Sequence, residues 1–289
     1  MELKSRHISV LTREILTLMA PFSGGRYLDC TFGGGGHSRA ILEASSPEGR
    51  LIAIDRDRSV TRFAEQLKAE FKERFEFMVM PFSQLNQIEG SFDGILFDLG
   101  LSQDQLESKA VGLGRGFSFQ ENEPLDMRFD PSHGQTAAEL LNTASPERLW
   151  RLFEQLAQDR RSKSLSHKIV SRRKERPLRT TFDLVELVGT RLPSVLAPIF
   201  AALRIVVNDE INQLKIGLSQ AKAKLNSRGV LAVISFHSGE DRIVKQFFNS
   251  GDFEVLTKKP ITPGEEELAS NNRSRSAKLR AAKLQNESH

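Results

Sequence analysis

The stretch Leu28-Asp29-Cys30-Thr31-Phe32-Gly33-Gly34-Gly35-Gly36-His37 decides how this chain is read. A short apolar run reaches an Asp, and four glycines follow before a helix-compatible stretch, Ser38–Ala44. Glycine lacks the Cβ that excludes φ > 0, so the backbone N–H groups of such a run can close on a ligand. Between a strand and a helix, a loop of this kind is where doubly wound folds hold a nucleotide-like cofactor. A tight glycine turn with no ligand is the plainer alternative.

Working outward, four β-like runs fill the first hundred residues: Arg26–Phe32, Arg50–Asp55, Phe75–Met80 and Phe92–Leu99. Ser38–Ala44 and Ser59–Arg74 lie between them. In the second of these, Val60, Phe63, Ala64, Leu67 and Phe71 recur at three and four residues and form one apolar face. Strands alternating with helices predict right-handed βαβ units and a parallel sheet. After Asp98 the pattern breaks. Gln103–Arg204 reads as loops and helices, with helix candidates at Thr136–Asn142, Pro146–Gln158, Ser162–Lys174 and Thr181–Thr190. Pro177, Pro193 and Pro198 punctuate the later part. The α/β pattern then resumes with an amphipathic helix at Asp209–Leu225, a fifth strand at Val230–Phe236, a helix at Asp241–Phe248 and a late strand at Phe253–Lys258. The expected architecture is α/β: a Rossmann-like sheet in two parts, 1–104 and 204–289, interrupted by a helical insertion at 105–203.

Composition bounds the function. The chain has 289 residues and a net charge of +4, but the charge is uneven. Asp159–Arg179 carries +7 and Lys258–Lys283 carries +4, so the remainder carries −7. Two basic segments in an otherwise acidic chain suit a polyanionic partner, or else a solvated helix face and a basic tail. Cys30 is the lone cysteine, which excludes an intrachain disulfide and a cysteine-rich metal site. The six histidines show no metal-ligand spacing, so no metal is expected. No apolar run reaches the length of a membrane span and Met1–His7 has no signal-peptide core, so a cytoplasmic protein is expected.

Asp55 closes the second strand 22 residues after Gly33, where an acid can accept from both hydroxyls of a ribose. A dinucleotide fingerprint requires G-x-G-x-x-G/A, and Ser38 or Arg39 stands where the third small residue belongs. S-adenosylmethionine has no pyrophosphate and needs no third glycine, so the spacing favours it over a nicotinamide cofactor. Asp98 ends the fourth strand and His237 follows the fifth. Both should stand on the carboxyl-end rim where such sheets gather ligands.

With these residues in place, the chain resembles the bacterial small-subunit ribosomal RNA (cytosine-N4)-methyltransferases. The resemblance runs nearly end to end. It is carried by His7–Glu14, the Asp29–Ser38 loop, Ala53–Asp57, Pro81-Phe82-Ser83, Asp98-Leu99-Gly100, Arg115–Phe119 and Pro124–Arg128. Further on it is carried by Gly134–Glu139, Arg204–Asn208, Ser235–Ser238 and Ser274–Arg280. It implies a class I S-adenosylmethionine-dependent methyltransferase fold with the helical insertion on the substrate side. The implied activity is methyl transfer to the N4 amino group of a cytidine in small-subunit ribosomal RNA, within an assembling or assembled subunit. Gly35, Gly36 and His37 match the donor-contacting loop, Asp55 the ribose acid and Phe82 the adenine pocket. Asp98 and Gln105 match contacts near the methyl-bearing end, with Asp98 also the candidate catalytic acceptor and His237 a substrate-side candidate. Arg160, Arg161, Lys163, Lys168, Arg172, Arg173 and Lys174 would hold RNA phosphates, and Phe117 and Phe119 either stack on bases or belong to the insert's core. The chain departs from the family at Leu101–Glu107, Ala157-Gln158-Asp159 and Ser194–Pro198, mostly in the RNA half. Two rivals follow: an RNA-binding or assembly protein that has lost catalysis, and a nicotinamide-dependent oxidoreductase.

Overall fold

In the computed structural model, which describes residues 9–99 and 114–285, the early strands are β1 (Arg26–Asp29), β2 (Arg50–Asp55), β3 (Phe75–Val79) and β4 (Phe92–Leu99). Between them lie α1 (Thr12–Met19) before β1, α2 (Gly36–Ala44) and α3 (Thr61–Phe71). Regular pairing of β1 ends at Asp29 rather than Phe32. The Asp29 side chain takes the Thr31 N–H at 3.1 Å and turns the chain. Cys30 and Phe32 still donate to Leu96 and Ile54 on the flanking strands.

The chain forms two compact units, 1–102 with 212–289, and 103–211. The second unit contains α4 (Ala137–Thr143), α5 (Pro146–Leu152), α6 (Ser162–Glu175), α7 (Thr181–Val188) and α8 (Pro193–Val207). Thr136 with Glu139 and Thr180 with Asp183 form capping boxes that start α4 and α7. Beyond the insertion, α9 (Glu210–Lys224) leads into β5 (Leu225–Ser235). Then come α10 (Ser238–Phe248), β6 (Phe253–Val255), α11 (Glu265–Ser270) and β7 (Lys278–Leu284).

One 7-stranded sheet results, in the order β3-β2-β1-β4-β5-β7-β6. The pairs among β1 to β5 are parallel, and β7 runs antiparallel between β5 and β6. This is the α/β sheet that the alternation of strands and helices predicts, with an antiparallel strand added near one edge. Alternation places the core on both faces. Tyr27, Leu51, Ala53, Leu96, Ala232 and Ile234 pack with residues of α1, α2 and α3. Their neighbours Leu28, Ile54, Ile95, Phe97, Leu231 and Val233 pack with Leu214, Leu218 and Ala221 of α9 and with Val244 and Phe248 of α10. The strand order reverses between β1 and β4, so the crevice for a ligand opens at their carboxyl ends.

Candidate donor site at the sheet's carboxyl edge

The loop after β1 is shaped by its glycines. Gly33 and Gly35 have φ of +53° and +78°. A Cβ on Gly35 would lie 2.8 Å from the Phe32 ring, and one on Gly36 would lie 2.0 Å from the Ser9 hydroxyl oxygen. Conformation and close approach therefore both demand glycine here. The N-cap of α2 is Gly35, which supplies no side-chain acceptor. Hence the first N–H groups of α2 present the positive end of the helix to whatever lies beyond the loop.

Three acids hold this corner. Asp29 is fully buried. Its Oδ1 accepts from the Thr31 N–H and its Oδ2 from the Ser38 hydroxyl at 2.6 Å, which locks the loop to the first turn of α2. Burial pushes its carboxyl above the usual range, against the pull of the Ser38 hydroxyl and of His37 nearby. Asp55, at the end of β2, accepts the Gly33 N–H at 2.9 Å on Oδ2 and the Asp57 N–H at 2.9 Å on Oδ1. Burial raises it to about 6 even though those two donors favour the charged form. Each oxygen keeps a further lone pair for an outside hydroxyl. Asp98, near the end of β4, anchors through its backbone: its N–H donates to Thr31 Oγ1 at 2.6 Å.

His37 is 5 % exposed, and its Nε2 stands 3.4 Å from Asp98 Oδ2. That separation suits an ion pair when the ring is protonated. Among the described residues, however, neither ring nitrogen of His37 nor Asp98 Oδ1 makes a hydrogen bond. Buried polar atoms normally have a hydrogen-bond partner, so these atoms mark a place where one is expected.

Phe82 opens the turn after β3, half-buried, its ring edge-on to Phe97 at 5.4 Å. Gly217 on α9 makes this possible, because a Cβ there would come within 2.8 Å of the Phe82 ring. His237 lies just beyond β5 and works as the N-cap of α10. Its Nδ1 accepts the Glu240 N–H at 3.3 Å, while Glu240 Oε2 accepts the Phe236 and His237 N–H groups. Gln105 falls outside the described residues.

A profile of the MraW methylase family matches residues 4–285. The chain belongs to the MraW methylase family. Ribosomal RNA small subunit methyltransferase H of Thermomicrobium roseum is 44% identical over 97% of this chain and 94% of its own length. The protein of the same name from a Geobacter species is 42% identical over 95% and 97%, and that of a Cyanothece species 44% identical over 96% and 94%.

As an MraW methylase the chain is an S-adenosyl-L-methionine-dependent methyltransferase. The residues present fit that donor. A glycine cradle lies at a helix start without a side-chain cap, an acid with spare lone pairs closes β2, and His37 and Asp98 carry buried atoms that make no hydrogen bond among the described residues.

In the insertion, Phe117 takes the core alternative, and two of the basic residues are engaged within the chain. Phe117 is 8 % exposed and packs on Phe129 at 5.3 Å, so it is a core residue and not a stacking platform. Phe119 is half-buried against Phe200. Among the basic residues, Arg161 is paired with Asp159 at 3.1 Å. Arg173 is spent on the carbonyls of Leu141 and Ala144 at the end of α4. Arg160, Lys163, Lys168 and Lys174 are exposed, with Lys163 lying over the Trp150 ring.

Sequence reading passed over Thr31, whose hydroxyl and N–H tie β4 to Asp29, and Ser9, which stands against Gly36. The first has a signal in retrospect. A residue two places after an Asp at a strand end is the natural donor of an Asx turn.

No helix among the described residues is long and apolar enough to cross a membrane. No group of His, Cys, Asp and Glu among them is arranged to hold a metal ion.

Proposed function

We propose that this protein transfers the methyl group of S-adenosyl-L-methionine to the N4 amino group of a cytidine in small-subunit ribosomal RNA. The names of the relatives support the substrate class. One observation carries the site: the buried ring nitrogens of His37 and Asp98 Oδ1, which make no hydrogen bond among the described residues, beside the glycine loop. In this reading Gly35, Gly36 and His37 hold the amino-acid end of the donor, Asp55 accepts from the ribose hydroxyls, and Phe82 lines the adenine pocket. Gln105 belongs to the same set. His237 stays a substrate-side candidate with a capping duty of its own.

The bound donor supplies an electrophilic methyl on a positively charged sulfur. The cytosine amino group is a weak nucleophile, because its lone pair is delocalised into the ring. Asp98 Oδ1 is the acceptor available to an amino N–H, which would turn that lone pair toward the methyl. Aligning both reactants in a near-attack geometry lowers the barrier by on the order of 7–11 kcal/mol. No strong base is required, since the nitrogen becomes acidic only as the methyl arrives. The target base must be unstacked or already unpaired to enter the crevice. Arg160, Lys163, Lys168, Arg172 and Lys174 would hold the flanking phosphates. The protein would then work in the cytoplasm, on RNA that is part of an assembling or assembled subunit.

Mapping methylated cytosines in ribosomal RNA from cells with and without the protein tests the activity. One position should lose its N4 methyl group, and an unchanged map overturns the reading. Asp98→Asn tests the site. Loss of donor affinity assigns the carboxylate to the donor, loss of single-turnover methylation alone assigns it to the cytosine, and no change in either removes it from the mechanism.

A further inference from the structure

We propose that Ser9 is an additional residue of the donor site, its hydroxyl donating to the carboxylate at the donor's amino-acid end. The inference rests on the reading of the glycine loop given above. Its starting point is the contact at Gly36, where the Ser9 Oγ lies 2.0 Å from the position a Cβ would take. The hydroxyl therefore stands against the first residue of α2, at a helix start whose N-cap supplies no side-chain partner. The next residue, His37, is 5 % exposed and has no hydrogen-bond partner for either ring nitrogen among the described residues. Backbone N–H groups, an imidazole and a hydroxyl thus meet at one corner.

Charge sorts the donor's groups among the available positions. A carboxylate would be repelled by Asp29, Asp55 and Asp98, which line the strand ends. The corner formed by Ser9, Gly36 and His37 offers donors and the positive end of α2. Among the described residues it is the corner with hydrogen-bond donors and a positive helix end to set against Asp98, which faces His37 Nε2 at 3.4 Å.

Ser9 is held there from far along the chain. Leu11, whose φ is +55°, donates its N–H to Glu267 Oε1 at 2.8 Å, and Thr12 Oγ1 donates to the Ser9 carbonyl at 3.2 Å. Val10 and Leu11 are buried at 3 % and 1 % exposure. Glu267, on α11, is thereby a positioning residue for Ser9.

Calorimetric titration of the whole chain with two ligands tests this. S-adenosylhomocysteine carries the amino-acid end, and methylthioadenosine is the same nucleoside without it. Ser9→Ala should weaken S-adenosylhomocysteine about tenfold, the worth of one hydrogen bond to a charged group, and leave methylthioadenosine unchanged. Glu267→Ala should move in the same direction, while Glu267→Gln, which keeps an acceptor for Leu11, should bind like the natural protein. Asp55→Ala should weaken both ligands. If it does and Ser9→Ala changes neither ligand, or weakens both equally, the Ser9 proposal is overturned alone. If Asp55→Ala changes neither, the donor-site reading itself fails.

Discussion

Gly33 donates its backbone N–H to Asp55 Oδ2 at 2.9 Å, so the acid that ends β2 also pins the loop that follows β1. One carboxylate thereby shapes the cradle and keeps lone pairs for an outside hydroxyl, which is the place proposed above for the ribose. Packing it there comes at an electrostatic cost, which gives the first prediction.

Asp55 titrates at about 6 when folded, against 3.8 for an unperturbed Asp. The folded chain binds this proton more tightly than the unfolded chain does. The resulting stabilisation is complete below the unfolded value and is lost as pH rises through about 6. The stability of the natural protein relative to Asp55→Asn should therefore fall by about 1–3 kcal/mol between pH 4 and pH 7. Urea denaturation across that range measures it, and a difference that does not vary with pH contradicts the assignment.

Thr31 joins two parts of the site, since its N–H serves Asp29 and its hydroxyl accepts from the Asp98 backbone. Thr31→Val keeps the shape and removes the acceptor, leaving the Asp98 N–H unpaired at a cost of about 1–3 kcal/mol. Thr31→Ser should recover most of that loss. Denaturation midpoints give the comparison, and equal stability of the Val and Ser variants counts against a role for the hydroxyl.

Gly35 and Gly24 both have positive φ, +78° and +86°, but only Gly35 faces a ring, with Phe32 at 2.8 Å from a would-be Cβ. Gly24→Ala should lose about 1 kcal/mol, from conformation alone. Gly35→Ala should lose more and should also weaken donor binding, because the Phe32 ring is packed against Phe75 and Phe77 and cannot easily give way. Equal losses at the two positions would falsify the packing argument.

In the insertion, Asn208 donates to the Met127 and Arg204 carbonyls and accepts the Phe129 N–H. It fastens a turn in which Met127, fully buried, has a φ of +60°. Asn208→Leu strands these groups and should destabilise the protein by about 2–4 kcal/mol. A loss below half a kilocalorie, roughly the scatter of surface substitutions, would mean that the turn holds itself.

RNA binding should weaken steeply with salt. Each phosphate contact contributes a slope of about 0.7–0.9 in log–log terms. Replacing Arg160, Lys168 and Lys174 together with Gln should lower the slope by about 2–3. Arg173→Gln should chiefly destabilise α4, whose terminal carbonyls it holds. Filter binding across a salt series reads the slopes, and an unaltered slope in the triple variant means that these cations point away from the RNA.

Much of the sheet was legible because β1 to β4 are apolar runs bounded by turn residues and joined by helices of clear period. β7 was not. Lys278–Leu284 reads as part of a basic tail, yet Leu279, Arg280, Ala281 and Ala282 are all buried. A strand covered on both faces loses the alternation that betrays strands, and Arg280 is accommodated only because Asp241 receives it at 2.6 Å. Helix α8 was hidden by Pro193 and Pro198. The first sits at a helix start, where its missing N–H costs nothing, and the second lies inside the helix next to the buried Leu196, Ile199 and Phe200.

The site divides along the same line. Gly35, Asp55 and Asp98 announce themselves by their place at strand ends. The Gly33–Asp55 bond, the Thr31 clasp and the approach of Ser9 depend on distances between segments, which spacing along a chain does not encode.

The parallel pairing of β4 with β5 joins Leu99 to Ser235 across the whole insertion. During synthesis, β4 therefore presents an open edge until more than a hundred further residues have emerged, and β5 in turn waits for β7. Closing so long a loop is slow, and a bare strand edge in the interval invites other chains. Ribosomes stalled within the insertion should accordingly release aggregation-prone fragments, whereas the finished chain, with β7 laid beside β5, seals that edge from its far end.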